Sequence, residues 1–90
     1  MYNEDFNCIA LNDSGNYTLN LNRILSENGY GFEVISTPAK ISGGNCGYSL
    51  SFPERYIDIV IETGIRHNIP VKKIYKITRY ATGTSYEQIY

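Results

Sequence analysis

Apolar residues come along this chain in short bursts, and the spacing within each burst predicts an element. Phe6 to Leu11 (FNCIAL) is nearly continuous and is closed by Asn12-Asp13-Ser14-Gly15, the pattern of a buried strand running into a turn. Asp13 or Ser14 can cap a helix by accepting from its first free amides. Tyr17, Leu21, Ile24, Leu25 and Asn28 then recur at helical spacing, with Asn20, Asn22, Arg23 and Glu27 on other faces. Gly29 supplies the left-handed residue that commonly stops a helix.

Tyr30 to Ser36 alternates in the manner of a second strand, with Phe32 and Val34 facing one way and Glu33 the other. Thr37-Pro38 breaks it, because proline has no amide for the ladder and restrains its predecessor. A loop over 38–45 follows. Cys46, Tyr48, Leu50 and Phe52 share one parity against Gly47, Ser49 and Ser51, which predicts a strand with one apolar and one polar face. Pro53-Glu54 opens a second helix with the stripe Tyr56, Ile57, Val60, Ile61, Gly64 and Ile65, ended by Asn68-Ile69-Pro70. Val71 to Thr78 reads as the last strand, and no period is visible after Arg79.

The order β-α-β-β-α-β predicts an α+β fold, a ferredoxin-like sandwich with a four-stranded antiparallel sheet and two helices on one face. Residues 1–78 would form the single domain. Residues 79–90 would be a tail, mobile or docked on the sheet or on another subunit. A chain of 90 residues holds one modest core, which argues against a large cofactor enzyme. Its apolar runs are too short for a membrane span, and no basic start leads into an apolar stretch, so a cytoplasmic location is expected.

Eight Lys and Arg against nine Asp and Glu give a net charge of −1. A duplex-binding domain needs a basic excess, so nucleic acid is not the expected partner. The local basic stretch Arg66, Lys72, Lys73, Lys76 and Arg79 reads as a solvated face, with contact to RNA the weaker alternative. Cys8, Cys46 and His67 offer no close ligand pair for a metal, and no cofactor is expected. Ser42-Gly43-Gly44-Asn45 lacks the lysine of a phosphate loop and leads into a strand, so it reads as a hairpin loop.

The cysteines carry more information. Cys8 sits inside the first apolar run and reads as a small packed hydrophobe. Cys46 is preceded by Gly43, Gly44 and Asn45 and followed by Gly47, which removes neighbouring side chains from around the thiol. In the expected fold Cys46 falls at the same end of the sheet as the first helix's amino terminus (Ser14, Gly15, Asn16), His67, Lys72 and Lys73. Helix amides and a cation favour a thiolate. The choice lies between a reactive thiol and an inert loop cysteine. A Cys8–Cys46 disulfide is disfavoured by a reducing compartment and by the mid-strand position of one partner.

Val34-Ile35-Ser36-Thr37-Pro38, then Ile41-Ser42, then Cys46-Gly47-Tyr48-Ser49-Leu50-Ser51-Phe52 resembles the selenium/sulfur carrier protein-like family. Its typical pattern is a strand ending in Thr-Pro, a Leu/Ile-Ser pair and a Cys-Gly opening the next strand. The resemblance implies a thiol carrier rather than a stand-alone catalyst. Cys46 would take sulfur or selenium from a donor protein's persulfide and pass it to an acceptor, with Gly47 giving access. Thr37, Pro38, Ser42, Gly43, Gly44 and Asn45 would form the supporting loop, and Ser14, Gly15, Asn16 and Lys72 would favour the thiolate. The alternative is a ligand-sensing or protein-interaction module of the same fold, in which Cys46 is incidental. Pairing with a second copy, through an edge strand or the tail, stays open on either reading.

Overall fold

The computed structural model describes residues 6–42 and 47–90. Its five strands are β1 (Cys8–Leu11), β2 (Glu33–Ser36), β3 (Tyr48–Phe52), β4 (Lys73–Tyr80) and β5 (Gly83–Gln88). They lie in the order β2-β3-β1-β4-β5, with every neighbouring pair antiparallel. The helices are α1 (Gly15–Glu27), the single turn α2 (Ala39–Ser42) and α3 (Ile57–Arg66), which a 3-10 turn at Glu54–Tyr56 introduces. The chain is an α+β protein, but among the described residues the sheet has five strands where the sequence predicts four, and there are three helices where two were expected.

Both differences have a local reason. In β5 only Thr84 and Tyr86 are half-buried, against exposed Gly83, Ser85, Glu87 and Gln88, so the strand carries almost no hydrophobic period. It is specified by its neighbour instead: Tyr80 stands opposite Gly83, and the ladder runs on to Tyr75 opposite Gln88. Gly83 closes the turn at φ 152°, a conformation that side chains rarely adopt. The chain end is tied down as well, since the Ile89 amide donates to the Ile74 carbonyl at 2.8 Å. The α2 turn forms because the Pro38 carbonyl accepts from both Ile41 and Ser42 amides at 3.1 Å.

The core lies on one face of the sheet. Cys8 and Ala10 of β1, Leu50 and Phe52 of β3 and Ile74 of β4 meet Leu21, Ile24 and Leu25 of α1 and Val60 of α3. These strand residues alternate and these helix residues recur at three and four, so each element buries the stripe its spacing marks. Phe32 and Tyr56 close the bottom of this core with ring centroids 5.4 Å apart. The opposite parity of the sheet also holds buried positions, Ile9, Ser49, Ser51 and Ile77.

Helix ends follow their sequences. Ser14 caps α1, accepting from the Tyr17 amide at 3.4 Å, and Gly29 at φ 93° ends it while the Tyr30 amide reaches back to Leu25. α3 ends the same way with Asn68 at φ 58° and the Ile69 amide donating to Gly64 at 2.7 Å. Among the described residues no helix is long and apolar enough to cross a membrane.

Candidate functional site

The end of β1 and the start of α1 build one wall of a cavity of about 210 Å³. Leu11, Asn12, Asp13, Ser14 and Gly15 line that wall, and Thr37, Ser42, Gly47 and Tyr48 line the other. The second wall is the base of the β2–β3 connection. Thr37 donates its amide to the Gly47 carbonyl at 2.9 Å, and its hydroxyl shares a 2.5 Å hydrogen bond with that of Ser49. These bonds extend the β2–β3 ladder one pair past Ser36 and Tyr48, which fixes both ends of the segment between them.

Two contacts hold the walls together. The Thr18 hydroxyl, buried in α1, lies 3.1 Å from the Tyr48 carbonyl and 3.2 Å from Asn12 Oδ1. Asn12 then donates from Nδ2 to the Pro70 carbonyl at 3.0 Å, which joins the start of β4 to the same corner. Gly15 lets the first turn of α1 close on Tyr48: a Cβ there would stand 2.9 Å from the tyrosine ring. At Gly47 a Cβ would meet nothing within 4 Å among the described residues, so packing does not require this glycine and its missing side chain leaves space at the cavity mouth.

The electrostatics come from the first turn of α1. Its leading amides have no partner within the helix and carry the positive end of its dipole, and no acidic residue occupies that turn. Asp13 and Lys72 stand at the rim as a pair, 3.7 Å apart and each about half exposed. Lys76 pairs with Glu54 at 3.2 Å and Arg66 with Glu62 at 2.6 Å, so part of the basic stretch is engaged by carboxylates. No group of three or more His, Cys, Asp or Glu side chains that could hold a metal occurs among the described residues.

Of the residues singled out from the sequence, the structure brings Ser14, Gly15, Thr37, Ser42 and Gly47 around this one cavity. Pro38 shapes α2, and Asn16 is exposed in the first turn of α1. The Lys72 amide donates to Leu11 at 2.8 Å, and Lys73 stands opposite Leu11 in the ladder. Gly43, Gly44, Asn45 and Cys46 lie outside the described residues. His67 belongs to a second cavity of about 190 Å³, with Asn28, Tyr30, Glu62 and Arg66 among its lining. Sequence reasoning missed Asn12 and Tyr48 as parts of the site. The signal for Asn12 was its place directly after an apolar run, where an amide can tie the strand end to a neighbour.

Cys8 is a free thiol with no exposed surface. Burial, helped by the Glu54 carboxylate and opposed by the Lys76 ammonium, raises its pKa to about 11. At neutral pH it is protonated and enclosed.

The family model described as "Putative Se/S carrier protein-like" matches residues 7–76. Neither the curated proteins nor the solved structures give a match.

Proposed function

Since the chain belongs to the Se/S carrier protein-like family, we propose that it is a cytoplasmic carrier of sulfur or selenium whose working group is the Cys46 thiol. The observation that carries this reading is the family match, which takes in the Thr37-Pro38, Ile41-Ser42 and Cys46-Gly47 segments together. The state of Cys8 supports it, because a thiol enclosed in the core and held protonated leaves the other cysteine as the carrier. The strand order of β1 to β4 supports a ferredoxin-like core, to which β5 is an addition.

In this mechanism the Cys46 thiolate attacks the terminal sulfur of a persulfide on a donor protein. A new sulfur–sulfur bond forms on Cys46, the donor's own sulfur–sulfur bond breaks, and the donor leaves as a thiolate. An acceptor thiolate then takes the terminal atom by the same exchange. No electrons are gained or lost overall, so the thiol needs no redox cofactor. The first turn of α1 at Gly15 lies beside Gly47 and Tyr48, and a helix amino terminus favours a thiolate brought to it. The protein acts as a relay between donor and acceptor proteins rather than as a stand-alone catalyst.

The test is intact mass after incubation with a cysteine desulfurase and cysteine. The wild type and Cys8→Ala should each gain one reducible sulfur, and Cys46→Ser should gain none. Persistence of the added sulfur in Cys46→Ser overturns the site.

A further inference from the structure

We infer that Asn28 is a site of spontaneous modification, whose side-chain amide is lost by ring closure onto the Gly29 nitrogen while the last turn of α1 stands open. The chain holds a single Asn-Gly pair, and it is this one. Glycine matters there because it has no Cβ to keep its nitrogen from the side-chain carbonyl carbon, and its backbone turns freely. The nitrogen bonds to Asn28 Cγ and gives up its proton, the Cγ–Nδ2 bond breaks, and the amide leaves as ammonia. Water then reopens the cyclic imide at either carbonyl, leaving aspartate or isoaspartate. No electrons are gained or lost, so water is the only co-reactant.

In the closed turn the reacting atoms are held apart. Asn28 caps α1 with φ −96° and ψ 10°, and its Nδ2 donates to the Ile24 carbonyl at 2.8 Å. The Gly29 amide donates to the Ser26 carbonyl at 3.0 Å, which turns its hydrogen back along the helix. Ring closure has to break both bonds. Both are placed to open, since Ser26, Glu27, Asn28 and Gly29 are all exposed and no basic residue in the last turn offsets the negative end of the helix. Helix ends of that kind open at little cost in free energy. The opening stops at Tyr30, whose amide bonds to the Leu25 carbonyl at 3.0 Å and whose ring stacks on Phe32 with centroids 5.6 Å apart.

The product differs from asparagine where it matters to the helix end. A carboxylate at position 28 cannot donate to the Ile24 carbonyl, and it adds negative charge at the negative end of α1. Isoaspartate also lengthens the main chain ahead of Gly29, which takes that amide out of register with Ser26. Asn28 shares a cavity of about 190 Å³ with Thr63, Arg66 and His67, and Arg66 is already paired with Glu62 at 2.6 Å. The modification therefore loosens the end of α1 and makes the lining of that cavity more negative.

The test follows the tryptic peptide 24–40, in which Asn28 is the only side-chain amide. Folded protein, and protein unfolded in guanidinium chloride, are kept in the same mildly alkaline buffer with a reductant, and the amide-to-acid mass gain is timed in each. The unfolded chain should react about tenfold faster than the folded one, the protection given by a turn that opens at about 1.4 kcal/mol. Ser26→Lys sets a cation in the last turn (its peptide then begins at Glu27) and should slow the folded chain about threefold while leaving the unfolded rate as it was. Equal rates in the folded and unfolded wild type overturn the inference, because the turn then holds nothing back. A folded chain in which Asn28 stays intact while the unfolded chain reacts also overturns it, by requiring the whole protein to unfold. So does a folded rate unmoved by Ser26→Lys, which takes the last turn out of the reaction, and so does the absence of any mass gain in either state.

Discussion

Burial keeps the proton on Cys8 until about pH 11, whereas the same thiol in an unfolded chain gives it up near its ordinary value of 9.0. Between those limits the folded state holds a proton that the unfolded state has lost. The contribution of this thiol is therefore complete below pH 9 and falls away as pH rises toward 11. At pH 10.5 the loss amounts to about 2 kcal/mol relative to pH 8. Urea denaturation of wild type and Cys8→Ala at both pH values should show this extra loss in the wild type only, because the two chains differ at that thiol alone. Parallel losses would mean that the thiol ionises equally easily in both states. The inertness of Cys8 was legible from its place within FNCIAL, but the influence of Glu54 and Lys76 was not. Those two residues reach it only through the fold.

Elements in this chain end where a backbone conformation forces them to, and α3 shows how tightly. A Cβ on Gly64 would stand 2.6 Å from the Ile69 carbonyl oxygen, so Gly64→Ala should cost about 1–3 kcal/mol through forced backbone movement. Asn68 holds φ 58° without being glycine, so Asn68→Gly should raise stability by up to about 1 kcal/mol. Thermal or urea unfolding of the pair checks both signs, and a stabilising Gly64→Ala would contradict the described turn. These ends were readable because caps and stops are local: Ser14 and Gly29 announce α1, and Asn68-Ile69-Pro70 announces the end of α3. β5 was not readable, because Thr84 and Tyr86 gain their inward facing only from pairing with β4. Within the candidate site, Ser14, Gly15, Thr37, Ser42 and Gly47 could be assembled from topology. The Asn12–Pro70 bond could not, since it joins a side chain to a backbone carbonyl 58 residues away.

For the molecule as a whole, the family match ends at residue 76, within β4, so the distal half of that strand and all of β5 lie beyond it. Removing residues 83–90 would strip one side of β4 and expose Ile77, now 8% accessible. The truncated chain should unfold cooperatively but with a stability lower by about 2–3 kcal/mol, the worth of one large aliphatic burial. An unchanged urea midpoint would show that β5 leans on the sheet without supporting it. The sheet order has a further result in time. β1 is made first, yet its neighbours are β3, through Cys8 opposite Phe52, and β4, through Cys8 opposite Lys76. A nascent chain thus holds its most hydrophobic strand unmatched on one side until β3 and on the other until β4 has been synthesised, a separation in sequence that slows folding and leaves the strand open to capture by chaperones.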